Sequence, residues 1–256
     1  MHIELVQNKA KEAMKELDEL FKENVIPYYL VAGSTLGAVR HKDIIPWDDD
    51  IDIAVYYEDS EKVRDVLMRG LKQPFRWIDG VSDPNYPRLH GKILCDDIGV
   101  VDIFPLVKTS NSDVFQRFQW AERKFYHKLY KTKRYNRAND KNNWGVKPSI
   151  VNTTANIISK FFSEKFLLNR LTRVVTRYES LENPQYYLNV FSIYSLKRER
   201  IRADWLKEPS MVEFGGRIYP TVSNCDAYLR NLYGDYMKLP PEEQRKPSHP
   251  EKYGKD

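Results

Sequence analysis

Nine residues, Trp47-Asp48-Asp49-Asp50-Ile51-Asp52-Ile53-Ala54-Val55, constrain this chain more than any other stretch. In an extended strand alternate side chains share a face, so Asp48, Asp50 and Asp52 project together while Ile51, Ile53 and Val55 turn to a core. Carboxylates spaced about 7 Å apart on one face repel each other and call for a counter-charge. A hard divalent cation, Mg²⁺ or Mn²⁺, supplies it, held by one or two carboxylates and the phosphates of a substrate. Two such ions can clamp the attacking and leaving oxygens of a phosphoryl transfer, which requires a further carboxylate from another strand. Asp102 fits, as the one charge in the apolar run Val100-Val101-Asp102-Ile103-Phe104, where an unpaired carboxylate is costly. Asp48, Asp50, Asp52 and Asp102 are therefore the candidate metal ligands, with Asp50, Asp52 and Asp102 as the catalytic centre. The competing reading of the acidic run is a solvated edge; Asp96 and Asp97 are explained by turn chemistry.

The surrounding pattern is that of an α+β protein. Apolar residues from Ile3 to Phe21 recur at three- and four-residue spacings, an amphipathic helix stopped before Pro27. Tyr28 to Ala32 reads as a buried strand, and Gly33-Ser34 turns the chain into a short helix around Thr35 to Val39. Strands follow at Ile51–Tyr56, Phe75–Ile78, Leu89–Leu94 and Val100–Phe104, with a helix capped by Asp59 or Ser60 and a hairpin suggested by the turn chemistry of Cys95-Asp96-Asp97-Ile98-Gly99. Helices dominate from Ser112 to Tyr178, broken at Lys147-Pro148; Gly215-Gly216 marks a hairpin, and a last helix runs from Asn224 to Gly234. The expected division is a sheet lobe over 1–110 and a mainly helical lobe over 111–256, whose C-terminal hairpin and helix pack back on the core. Disorder is expected only in the last dozen residues.

A Gly-Ser pair between strand and helix offers backbone N–H groups and a hydroxyl to a phosphate at the helix N-terminus, so Gly33 and Ser34 are candidate donor-binding residues. Arg40, just after the short helix, and Lys92, before the second turn, are candidate phosphate contacts, each with a solvated role as the alternative; the same holds more weakly for His41 and Lys42. Trp47 suits stacking on a base or a quaternary ammonium and equally suits core packing.

Net charge is +5 and concentrated. Asp113 to Arg137 holds Arg117, Arg123, Lys124, Lys128, Lys131, Lys133, Arg134 and Arg137 against Asp113 and Glu122, eight minus two or about +6, leaving the rest near neutral. Interleaved with Phe118, Trp120, Phe125, Tyr126, Leu129 and Tyr130, this segment either attracts an anionic acceptor or membrane surface or is an amphipathic helix with a solvated face. The two cysteines, Cys95 and Cys225, fit no zinc or disulfide framework. No apolar run reaches the roughly 20 residues of a membrane span, and the charged N-terminal stretch is unlike a secretory signal. A cytoplasmic protein is expected, with at most peripheral contact at the inner face of the membrane.

The pattern apolar-Gly-Ser, Asp-apolar-Asp and a later Asp resembles the nucleotidyltransferase fold superfamily. More narrowly, Ala32-Gly33-Ser34-Thr35-Leu36-Gly37-Ala38-Val39-Arg40-His41, Ile45-Pro46-Trp47-Asp48-Asp49-Asp50-Ile51-Asp52-Ile53, Val101-Asp102-Ile103-Phe104-Pro105-Leu106 and Tyr228 to Tyr236 are similar to the LicD family. That resemblance implies a nucleotidyltransferase-like mixed sheet flanked by helices, Asp50, Asp52 and Asp102 as metal ligands, and Gly33-Ser34 as the phosphate-binding turn. It implies transfer of phosphocholine, or a related phospho-alcohol, from CDP-choline or another CDP-alcohol to a glycan or lipid-linked glycan of the cell surface, such as lipopolysaccharide, teichoic acid or capsule, with release of CMP. The alternatives are a nucleotidyltransferase acting on RNA or a small acceptor and a non-catalytic glycan-binding protein; nucleic acid is not the expected partner. The long loop between Ser34 and Asp50 is a feature of LicD-like proteins, and the zinc insertion of eukaryotic relatives is missing.

Overall fold

In the computed structural model, residues 3–83, 86, 89–137, 150–191 and 194–247 are described. The first half alternates helix and strand: α1 (Ile3–Glu23), β1 (Tyr28–Leu30), α2 (Ala32–His41), β2 (Ile51–Tyr56), α3 (Ser60–Gly70), β3 (Phe75–Ile78), β4 (Gly91–Cys95) and β5 (Ile98–Lys108). Three longer helices follow, α4 (Asp113–Arg137), α5 (Ile150–Lys160) and α6 (Glu164–Val175). The remainder comprises β6 (Tyr186–Asn189), α7 (Leu196–Glu199), β7 (Arg200–Arg202), α8 (Asp204–Lys207), β8 (Ser210–Phe214), β9 (Arg217–Thr221) and α9 (Cys225–Tyr233). The anticipated break at Lys147-Pro148 and the last dozen residues, apart from 245–247, lie outside the described residues.

One mixed sheet of nine strands runs β3-β4-β5-β2-β1-β9-β8, with β6 paired to the end of β5 and β7 to β6. β2 and β5 are parallel, as are β1 and β9, whereas the other pairs are antiparallel. Four strands, β6 to β9, come from beyond residue 110, so the sheet extends across that position. The short strands β6 and β7 carry no alternation that would single them out in the sequence; Leu106, Val107 and Lys108 of β5 set their register.

The two sheet faces bury different cores. Ile51, Ile53, Val55, Val101 and Ile103 pack beneath α1, whose Val6, Ala10, Ala13, Met14, Leu17 and Phe21 form its inward stripe. On the other face Tyr29, Ala54 and Leu106 meet Leu36 of α2 and Tyr228, Leu229 and Leu232 of α9. A third cluster joins Trp120, Leu129 and Tyr130 of α4 to Leu167, Leu171 and Val175 of α6 and to Leu188 of β6. The turns carry the chemistry expected of them: Asp96 and Asp97 adopt φ of 47° and 68°, Gly215 and Gly216 of 59° and 78°, both the left-handed pattern of a two-residue hairpin. Asn224 caps α9 by accepting a hydrogen bond from the Ala227 amide. Asp59 stands at the N-cap of α3 without a side-chain cap bond.

The helix after β1 is longer than the sequence indicates. It begins at Ala32, so Gly33 and Ser34 lie within its first turn, where the Ser34 and Thr35 amides donate to the Val31 carbonyl.

Candidate active site

Strand register builds the centre of the site. Asp52 on β2 lies directly opposite Asp102 on parallel β5, and Asp102 lies opposite Lys92 on antiparallel β4. Three ionisable side chains thus stand in a row across one face of the sheet. Asp102 is buried and its Oδ1 lies 2.6 Å from Lys92 Nζ, with His90 Nε2 3.5 Å from Oδ2. Asp52 keeps part of its surface accessible. Burial pushes its carboxyl well above the usual range, and the charges of Asp50, Asp102 and Asp48 push it further, offset in part by Lys92.

The alternation that would place Asp48 and Asp50 beside Asp52 does not extend to them, because β2 starts only at Ile51. A turn brings them in instead: the Asp48 amide donates to the Ile45 carbonyl, and Asp48 Oδ1 accepts from the Asp49 amide. Oxygens of Asp48, Asp49 and Asp50 lie within 4.8 Å of one another, and Asp49, which parity excludes, is fully buried. From α2, Gly33 faces the same carboxylates. A methyl group there would come within 2.9 Å of Asp48 Oδ2 and 3.7 Å of Asp52 Oδ2, so the missing side chain keeps the space between them open. The oxygen-only donor set of Asp48, Asp49 and Asp50 fits a hard divalent cation, and Asp52 faces the same opening at Gly33. Asp102 adjoins the group with its charge already engaged by Lys92.

The other candidates divide. Ser34 is buried, and its hydroxyl accepts a 2.7 Å hydrogen bond from the Asp52 amide, tying the start of α2 to the start of β2. Lys92 stands in the row, paired with Asp102. Arg40 turns towards the C-terminal part of the chain: its guanidinium donates to the Tyr236 carbonyl at 2.7 Å and to His41 Nε2 at 2.9 Å. Trp47 packs against the core cluster that contains α9, with the guanidinium carbons of Arg40 and Arg245 at 5.9 and 5.6 Å from its ring.

The residue pattern gave no pointer to His90, whose ring lies 4.7 Å from that of Phe104, nor to three tyrosines near Asp52. Tyr194, Tyr228 and Tyr233 are each held above the ordinary tyrosine pKa, by burial first and in part by the Asp52 charge, so they remain protonated donors. Tyr228 accepts the Ala32 amide at 3.0 Å and so anchors α9 against the first turn of α2. These residues come from sequence far from the Asp run, and no local spacing links them to it.

The basic segment is also not a uniform solvated face. Arg123 is buried against the Trp120 ring at 4.0 Å, and burial lowers its pKa to about 10. Arg134 is buried too, donating to Tyr130 Oη and the Tyr86 carbonyl and lying 3.3 Å from Glu164. Arg117, Lys124 and Lys131 stay exposed.

Residues 25–149 match the family model described as LicD/FKTN/FKRP, nucleotidyltransferase domain. The chain is 27% identical over 233 residues to the lipopolysaccharide cholinephosphotransferase LicD of Haemophilus influenzae, covering 88% of this chain and 87% of that protein. A stretch of 34 residues is 59% identical to the ribitol 5-phosphate transferase FKRP of Mus musculus and of Homo sapiens, which is 13% of this chain and 7% of theirs. Among solved structures, ANT(2″)-Ia in complex with adenylyl-2″-tobramycin aligns with 67% of this chain and 99% of its own at a TM-score of 0.29 and 10% identity.

Proposed function

The chain carries a LicD-family nucleotidyltransferase domain over residues 25–149, and from that premise we propose that it moves phosphocholine, or a related phospho-alcohol, from a CDP-activated donor to a hydroxyl of a cell-surface glycan precursor. The observation that supports this reading best is the in-register placement of Asp52 beside Asp102, with Asp48 and the open position at Gly33 next to them. The length over which the chain resembles the Haemophilus influenzae cholinephosphotransferase adds to it.

In this scheme an acceptor hydroxyl attacks the β-phosphorus of the donor. The bond from that phosphorus to the oxygen bridging it to the α-phosphorus breaks, CMP leaves with the bridging oxygen, and a phosphodiester to the glycan forms. Asp48, Asp50 and Asp52 would hold Mg²⁺ or Mn²⁺, which when bound neutralises charge developing on the transferring and leaving oxygens. Asp102, held by Lys92 and His90, would orient the attacking hydroxyl and take its proton. Gly33 would leave room for the donor's phosphates beside the first turn of α2, where the positive end of the helix dipole favours an anion. No described helix is long and apolar enough to cross a membrane; on the separate ground that the donor is nucleotide-activated, we propose the cytoplasmic face as the place of the reaction.

The test is a screen of CDP-choline, CDP-ethanolamine, CDP-glycerol and CDP-ribitol with a glycan extract, read as CMP release. One donor should release CMP only with acceptor and divalent cation present, and a chelator should stop turnover while the thermal transition stays in place. Pyrophosphate from a nucleoside triphosphate in place of CMP would show nucleotidyl transfer and overturn the reading, as would full activity in excess chelator.

A further inference from the structure

Within α4, Val114, Phe118, Ala121 and Phe125 recur at four-, three- and four-residue intervals, so they fall on one face of the helix. That face is turned to solvent: Val114 is 72% exposed, Phe118 59% and Phe125 49%. The ridge is about 16 Å long at 1.5 Å per residue. Along α6 the same intervals place Phe166, Arg170, Arg173 and Arg177, just beyond its end, on a second exposed face.

The two helices run antiparallel and side by side. The Gln119 amide reaches the Val174 carbonyl, and Arg134 meets Glu164 at the opposite end. The Arg177 guanidinium lies 5.9 Å from the Phe118 ring, so the apolar ridge and the cationic stripe belong to one surface. Arg117 and Lys124 flank the ridge on its other side. The acidic groups nearby are already matched: Glu122 pairs with Arg177 at 2.6 Å, Asp113 with Arg200 at 2.7 Å, and Glu164 faces Arg134.

We propose that this α4–α6 face is a membrane-docking surface that seats on a bilayer containing anionic phospholipid, with Phe118 and Phe125 entering the headgroup boundary and Arg170, Arg173, Arg117 and Lys124 against lipid phosphates. Aromatic rings beside cations are what an interfacial helix needs. A second copy of this chain fits the face poorly, because two-fold pairing sets the arginine stripe near its own like charges. A base-stacking role is disfavoured by Val114 and Ala121, which interrupt the ridge with side chains lacking a π-face.

The experiment is vesicle co-sedimentation of the full chain without donor or acceptor, so its outcome is independent of the reaction. Vesicles of phosphatidylcholine alone are compared with vesicles of phosphatidylcholine and phosphatidylglycerol. Binding is expected only to the anionic vesicles and should weaken as salt rises. Phe118→Ser with Phe125→Ser should weaken it roughly tenfold or more, and Arg170→Gln with Arg173→Gln on the order of twentyfold at low salt. Circular dichroism establishes that the variants are folded. Phe118→Trp, which keeps an aromatic side chain, supplies a second readout: brominated lipid should quench its added fluorescence in anionic vesicles. Equal binding to both vesicle types, no binding at low salt, serine variants that bind like wild type, or an unquenched tryptophan would overturn the proposal. So would a dimer that Phe118→Ser with Phe125→Ser dissociates, or binding to homopolymeric RNA with vesicles ignored.

Discussion

Burial and the charges of Asp50, Asp102 and Asp48 all disfavour the charged form of Asp52, so removing a charge at Asp50 or Asp52 should relieve repulsion around it. Asp50→Asn and Asp52→Asn are expected to abolish turnover while leaving the thermal transition unchanged or slightly raised. A marked drop in melting temperature, with normal activity per folded molecule, would refute the catalytic assignment. His127 offers a separate, titratable handle. Burial, then the charges of Arg123, Lys131, His90 and Lys128, lower its pKa from 6.5 to about 3. Below pH 6.5 the unfolded chain takes up a proton that the folded chain refuses until about pH 3, so folding stability is lost as pH falls through that window. His127→Gln should lose less stability than wild type between pH 7 and pH 4.5, by on the order of 1–2 kcal/mol in denaturant titrations. At this scale Asp102 stood out in the sequence as the one charge in an apolar run, and Asp52 as the member of the acidic run flanked by Ile51 and Ile53. Asp49 was hidden by a strand parity that stops at Ile51, and His90 by lying alone in sequence. The fates of Arg123 and Arg134 were equally hidden, since a count of charges says nothing of which cations find a ring, a hydroxyl or a carbonyl within the fold.

At the scale of elements, α2 and β2 act as one device. Ser34 fixes their mutual height through the Asp52 amide, and Gly33 keeps the gap between them clear. Gly33→Ala should favour the helix by up to about 1 kcal/mol on propensity alone. Its methyl would nevertheless have to displace Asp48 Oδ2, and a displacement on the ångström scale can cost a hundredfold in rate. The expected result is a kcat/KM lower by roughly 10- to 100-fold with a melting temperature near that of wild type. Wild-type kinetics for this variant would show that the space at Gly33 is not used. The elements of the first half could be read from periodicity because each has an apolar face of its own. The short strands β6 and β7 exist only by pairing with the end of β5, a long-range condition that local sequence does not carry. Hairpins lay between these extremes, since left-handed turn residues signal themselves at Asp96-Asp97 and Gly215-Gly216.

At the scale of the whole molecule, the site is assembled from three distant parts of the chain: the Asp run, the β4–β5 ribbon and the tyrosines around α9. The first helix belongs to it as well. The Gln7 side-chain amide donates to the Ile45 carbonyl at 3.1 Å and to the Asp48 carbonyl at 2.8 Å, holding the loop that presents Asp48 and Asp50. Gln7→Ala should therefore lower kcat several-fold at a stability cost of about 1–2 kcal/mol, measured by steady-state kinetics beside thermal melting; unchanged kcat would mean that the loop holds itself. The family model begins at residue 25, whereas Ala13, Met14, Leu17 and Phe21 of the preceding helix lie wholly inside the core. The segment that matches the family model is thus shorter than the segment that shares its core. An excised piece matching 25–149 would expose the apolar face of the sheet that α1 covers, and a fusion that joins a foreign partner at residue 25 would sever the clamp on the acidic loop.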